Sequence, residues 1–168
     1  MRAKSKVSAA IAFVFLCASA YPDQVGQKVI AEPVETELCG VEIGKVPIDR
    51  IYAKFGKPSA NMPIPDGQEY EWRFGAVRML VVASSRSKSG NPDYIDVSGK
   101  RATKSIGRTG RGLALGDNLT RVRELYGTKY LEPSKSEILF EFTNGNKLTI
   151  RFDRNGRINY MELTAKNE

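Results

Sequence analysis

Four sets of side chains in this sequence are of types and spacings that could do chemistry. The first is a pair of paired carboxylates, Glu69 with Glu71 and Glu137 with Glu141. Two carboxyl groups flanking a glycosidic bond can hydrolyse it, one as acid and the other as base or nucleophile. Both pairs fall at strand positions expected to face solvent, where charges also belong without any catalytic role. The second is the loop Gly107-Arg108-Thr109-Gly110-Arg111-Gly112, which invites comparison with phosphate-cradling loops. Its spacing fits neither the dinucleotide fingerprint nor the P-loop, and no Lys-Ser/Thr pair follows its last glycine. The third is the run of cations Lys100, Arg101, Lys104, Arg108 and Arg111. Such a run either contacts an anionic partner, such as lipid headgroups, cell-wall polymer or an acidic protein, or is a solvated linker. The fourth is the aromatic set Tyr70, Trp72 and Phe74. Exposed, these rings would form a binding patch, since Trp and Tyr dominate interface hot spots; facing inward, they would be core. The candidate partner-binding residues are therefore Lys100, Arg101, Lys104, Arg108, Arg111 and Trp72.

What is missing narrows the field further. The chain has no histidine, which excludes Ser-His-Asp and Cys-His nucleophile systems. It also excludes the commonest zinc sites, and the cysteines are too few for a thiolate cage. No cofactor or metal is implied. Asn118-Leu119-Thr120 matches a glycosylation sequon, but Asn118 also suits a helix N-cap.

The N-terminal segment reads as an address. Arg2, Lys4 and Lys6 form a positive region, Val7 to Cys17 is almost wholly apolar, and Ala18-Ser19-Ala20 supplies small residues for a signal peptidase. Residues 1–20 are expected to be a signal peptide cut before Tyr21. The apolar run falls short of the roughly 18–20 residues that a bilayer span needs. No later stretch is long and apolar enough to span. The formal net charge of +7 includes three from these basic residues, leaving +4 after cleavage. That is far from the dense basic footprint of a nucleic-acid binder, so no nucleic-acid partner is expected. Cys17 leaves with the signal, and Cys39 then has no partner for an intramolecular disulfide. A lone thiol in an oxidising compartment is buried, free or paired between chains, and the place of Cys39 in the apolar stretch from Leu38 to Val41 favours burial.

The elements that must position these groups form a pattern written twice. Residues 21–40, with Pro22, Gly26, Pro33 and the acids Asp23, Glu32, Glu35 and Glu37, read as a flexible tether. Ile48-Asp49-Arg50-Ile51-Tyr52-Ala53-Lys54-Phe55-Gly56 is then echoed by Leu119-Thr120-Arg121-Val122-Arg123-Glu124-Leu125-Tyr126-Gly127. Each is a short amphipathic helix stopped by glycine. Alternating strands follow: Glu69–Phe74, Val77–Ala83 and Pro92–Ser98 in the first half. In the second half come Ile138–Phe142, then Leu148–Phe152 after the Thr143-Asn144-Gly145-Asn146 turn, and Ile158–Leu163. Met79 to Ala83 is apolar on both faces, which predicts a central strand covered on both sides. The expected fold is α+β: repeat 1 over 41–98, a basic Gly-rich linker over 99–112 and repeat 2 over 113–168. Each repeat is a short helix followed by a three-stranded antiparallel meander.

Gly44, Ile51 and Phe55-Gly56-Lys57-Pro58 resemble the opening of the BamE/SmpA-like outer-membrane assembly lipoproteins. Phe152-Asp153-Arg154-Asn155-Gly156-Arg157-Ile158 looks like the strand-turn-strand that closes such modules. Two in tandem are similar in architecture to the secreted β-lactamase inhibitor proteins. The second repeat lacks the proline after Tyr126-Gly127, the inhibitors' disulfides have no cysteines to form them, and bulky Leu16 before Cys17 denies a lipid-anchor site. The resemblance implies a fold and a tendency to bind proteins, and transfers no functional residue. The expectation is an exported, non-enzymatic protein-binding module of the bacterial envelope or secreted space. The alternatives are a secreted enzyme inhibitor, a carboxylate-based hydrolase and a self-associating structural protein.

Overall fold

The computed structural model describes residues 30–31, 34–85, 90–103 and 106–166. The expected signal peptide, residues 21–29 and 32–33 of the expected tether and Lys104 lie outside the described residues.

The chain runs β1 (Ile30–Ala31), β2 (Glu37–Leu38), β3 (Val41–Glu42), α1 (Ile48–Phe55), β4 (Ala60–Ile64), β5 (Gly67–Phe74), β6 (Val77–Ser84) and β7 (Tyr94–Ser98). It continues through α2 (Leu119–Tyr126), β8 (Leu131–Ser134), β9 (Glu137–Phe142), β10 (Lys147–Phe152) and β11 (Ile158–Thr164). Both helices are eight residues long, too short to persist alone. Asn118 caps α2 by accepting from the Arg121 N–H at 3.1 Å, which explains the sequon residue as a cap. Both helices end on a glycine with φ of +79°, a conformation that a side chain resists. What holds them is docking: Ile51 on α1 and Val122 on α2 are fully buried in one common core.

The sheet corrects the expected fold class. The protein is mostly β, not two helix-plus-three-strand modules. Nine strands join in one sheet, ordered β1-β9-β10-β11-β7-β6-β5-β4, with β8 also pairing β9. All pairings are antiparallel except β1 with β9. The two halves meet where β7 pairs β11, with Val97 opposite Met161 and Ile95 opposite Leu163. Strands β4 and β8, which carry Pro63 and Pro133, are not among the expected strands. Proline is tolerated there because both are outer strands, where a missing N–H breaks no interior ladder.

One face of this sheet carries the core. Trp72, Met79, Val81, Ile95, Val97, Phe140, Leu148, Ile150, Met161 and Leu163 are buried on it, clustered with Ile51, Val122 and Tyr126 from the helices. Trp72 settles as a core residue: it is 2% exposed and its indole N–H donates to the Gly56 carbonyl at 2.9 Å. Tyr52 and Phe55 pack on its ring from α1.

Connecting segments complete this layer. Residues 34–40, read as the end of a tether, are packed: Leu38 and Cys39 are fully buried, and Glu35 is 2% exposed. The expected flexible linker is likewise built into the fold, with Ile106 and Thr109 buried and Thr109 bridging Leu38. Among the described residues no helix is long and apolar enough to cross a membrane.

Candidate functional site

Both described helices pack on the core face, so among the described residues no helix covers the opposite face, and its side chains are dictated by strand alternation. In β6, Met79 and Val81 point to the core, so Arg78, Leu80 and Val82 point away. In β7 the outward set is Tyr94, Asp96 and Ser98, and in β11 it is Tyr160, Glu162 and Thr164. Register then brings them together. Asp96 stands between Leu80 on β6 and Glu162 on β11. Tyr94 stands between Val82 and Thr164.

A cavity of about 450 Å³ opens on this face. Ile64, Leu80 and Val82 give it apolar walls, and Glu69, Asp93 and Asp96 are among its polar lining. Arg78 also lines it, with its Nε held 3.0 Å from a Glu71 carboxylate oxygen. Asp93 accepts from the Ser84 backbone N–H and from its hydroxyl.

Asp96 is the unusual group. It is 5% exposed. Its Oδ2 accepts from the Tyr94 hydroxyl at 3.1 Å, whereas its Oδ1 is buried with no hydrogen-bond partner. Leaving a buried polar atom unpaired costs about 1–3 kcal/mol, more when it is charged. The neighbouring Glu162 is better served. The Tyr160 hydroxyl donates to its Oε2 at 2.6 Å, and the Thr164 hydroxyl to its Oε1 at 3.3 Å. The hydroxyls of Tyr94 and Tyr160 are 3.1 Å apart. Donors are therefore scarce: the O–H groups of Tyr94, Tyr160 and Thr164 face the four oxygens of two carboxylates.

Protonation follows from this crowding. Burial pushes the Asp96 carboxyl above the ordinary range; the Tyr94 hydrogen bond and Arg78 oppose the rise, while Glu162 and Glu69 add to it. Burial likewise pushes both phenols well above the usual tyrosine value, with further upward contributions from the nearby carboxylates. Tyr94 and Tyr160 are neutral donors at any physiological pH.

The residues singled out from sequence lie elsewhere. Lys100, Arg101, Arg108 and Arg111 are exposed, on segments of the layer that covers the core face. Arg108 Nε reaches the Thr103 carbonyl at 3.4 Å, and the Arg111 guanidinium lies over the Tyr126 ring at 5.7 Å. Trp72 contributes to the core and not to a surface patch. The paired carboxylates are tied down in ion pairs: Glu71 with Arg73 and Arg78, Glu137 with Arg151, and Glu141 with Lys147. Only Glu69 of the four lines the cavity. Among the described residues no three of His, Cys, Asp and Glu converge to hold a metal ion. Sequence reasoning missed Asp96 and Tyr94. The signal was present in β6, where Leu80 and Val82 put apolar groups on a face otherwise polar. In sequence that pattern reads as a covered strand; in the structure it is the wall of a cavity.

No protein-family profile matches this chain, and no curated protein is similar to it in sequence. A solved structure does share the fold. A cysteine-rich secretory protein from Staphylococcus aureus superposes with a TM-score of 0.58 at 16% identity, over 80% of this chain and 48% of that one. This chain thus spans about half the length of that protein. A DUF4309 family protein from Bacillus subtilis aligns with a TM-score of 0.47 at 20% identity, over 76% of this chain and 83% of that one. Neither is described as an assembly lipoprotein or a β-lactamase inhibitor. The likeness to the staphylococcal protein concerns the fold alone.

Proposed function

We propose that this protein is an exported, non-enzymatic binding module that receives a partner protein on the open face of its sheet. The observation that supports this reading is the cavity beside Asp96. It joins the apolar walls of Ile64, Leu80 and Val82 to a buried carboxylate oxygen without a partner. A recognition site has this composition: mostly apolar lining, with a few fixed polar groups that set orientation. Export rests on the charged, apolar and small-residue succession of residues 1–20. A non-enzymatic role agrees with the lack of histidine and with tyrosines held neutral.

Cross-linking mass spectrometry on the exported chain, purified with its partner from the producing organism, tests the reading. Cross-links from the partner are expected at strands β6, β7 and β11. Cross-links confined to Lys100 and the rest of the 99–112 segment would overturn the assignment of the face. Failure to recover any protein at stoichiometric yield would overturn the module itself.

A further inference from the structure

We propose that the cavity beside Asp96 is a recognition pocket for an ammonium or guanidinium group. On the partner-binding reading above, on which this rests, the group arrives as a lysine or arginine side chain of the partner protein.

Charge complementarity makes the first argument. The chain is basic, +7 in full and +4 without residues 1–20, yet this cavity is lined by Glu69, Asp93 and Asp96, with Glu162 behind them and Arg78 as a cation at its wall. Arg78 is already engaged by Glu71. The other cation near the tyrosines, Arg151, is engaged by Glu137 and lies over the Tyr160 ring at 4.7 Å. Among the described residues, no cation forms an ion pair with Asp96 or Glu162. Among the described residues, carboxylates gathered on one face, with Arg78 and Arg151 already engaged, present that face to positive charge.

Hydrogen-bond accounting makes the second argument, independently. The site lacks donors, and the deficit falls on Asp96 Oδ1, which is buried. A ligand that completes the site must bring N–H groups and no acceptor. An ammonium has three such donors and a guanidinium five, and neither has an acceptor. A carboxylate, phosphate or sugar hydroxyl would bring further lone pairs to a place already oversupplied.

Shape makes the third. The head of a lysine or arginine is carried on a stem of methylenes, which seeks apolar surface while the head finds charge. Ile64, Leu80 and Val82 supply that surface beside Asp96. A volume of about 450 Å³ lies within the range of small-ligand pockets and accommodates either side chain. Hydrogen bonds between such a head and a carboxylate are charge-assisted and are the stronger kind.

The test titrates the chain with the N-acetyl methylamides of arginine, lysine and norleucine, following backbone amide resonances. The two basic amides are expected to shift residues of β6, β7 and β11 in a saturable way, and the uncharged norleucine amide to leave them in place. Asp96→Asn keeps the shape and removes the charge, and it is expected to weaken binding of the basic amides by about tenfold or more, the value of a hydrogen bond to a charged group. Thermal unfolding of the variant shows whether the fold has survived. Glu141→Gln, which removes a carboxylate on β9 that pairs with Lys147 and lies outside the cavity lining, should retain binding within a few-fold and guards against a general loss of the face. Equal shifts from norleucine, no shifts from the basic amides, or full binding by folded Asp96→Asn would each overturn the pocket. The two levels of the reading fail differently. Saturable amide binding with no partner on this face leaves the pocket standing and removes the module. A partner cross-linked to the face and indifferent to Asp96→Asn does the reverse.

Discussion

Tyr126, the last residue of α2, donates its hydroxyl to the buried carboxylate of Glu35, 91 residues earlier in the chain. The same hydroxyl lies 2.7 Å from the Thr109 hydroxyl, and Glu35 also accepts from the backbone N–H groups of Thr36, Glu37 and Arg111. A charge that far from water is tolerated only when its lone pairs are filled, and here they are. The contact fastens the segment before β2 to the second helix.

Glu35→Ala and Tyr126→Phe separate the two sides of this contact. Tyr126→Phe should cost about 1–3 kcal/mol by leaving one carboxylate oxygen under-served. Glu35→Ala removes the charge but opens a void and orphans buried N–H groups, at a similar or larger cost. Urea denaturation measures both. A double variant no worse than Glu35→Ala alone would show that the pair acts as a unit.

Asp96 makes stability depend on pH in a definite direction. Its folded carboxyl holds its proton at a higher pH than the ordinary aspartate value of 3.8. Between those two values the folded state binds more protons than the unfolded one, so stability falls as pH rises through that window. Above it, the penalty is complete. The groups facing Asp96 are Arg78, Glu69, Tyr94, Tyr160 and Glu162. Asp96→Asn should therefore raise the melting temperature near neutral pH, with the gain vanishing below the ordinary aspartate range. Melting curves of both proteins across acid to neutral pH decide it, and a variant less stable than the parent at neutral pH contradicts the burial argument.

Trp72 is the chain's only tryptophan, so intrinsic fluorescence reads its surroundings directly. Emission should be blue-shifted in the native state and move red on unfolding. Trp72→Ala should cost about 3–5 kcal/mol, as large aromatic truncations in cores do. Native emission at the wavelength of exposed tryptophan would return Trp72 to the surface.

Cys39 is a free thiol, fully buried, with burial pushing its pKa up to about 11. The thiolate is the reactive form. In the chain beginning at Tyr21, a thiol reagent at mildly alkaline pH should react no faster than the protein opens. Adding denaturant should raise the rate until it matches that of a free cysteine. Prompt stoichiometric reaction in native buffer would contradict the burial.

The local elements were legible because local patterns make them. Ile48, Ile51, Tyr52 and Phe55 share a helical face, and the alternation in Glu69–Phe74 and Ile138–Phe142 is that of strands with one buried side. What no local pattern contains is the pairing of Tyr94–Ser98 with Ile158–Thr164, which turns the two halves into one sheet. The missed strands carry proline, and proline reads as loop until the strand is known to lie at an edge. Glu35 sits among prolines and acids and reads as solvated. Its burial depends on Arg111 and Tyr126, which come to it only in the fold. Asp96 is a single acid in an alternating strand, indistinguishable in sequence from a solvent-facing one. Only its register beside Leu80 and Glu162 sets it apart.

The position of β11 between β7 and β10 shapes how this protein acquires its structure. The strand latest in sequence is the one that fills the middle. Until it docks, β7 and β10 each present an open ladder of N–H and C=O groups, which is the arrangement that invites pairing with other chains. Joining β7 to β11 also closes a loop of some sixty residues, and contacts between such distant segments slow folding. Assembly thus has a vulnerable interval that ends only when Ile158 to Thr164 enter the gap, and a nascent or clipped chain lacking them would be poised to aggregate.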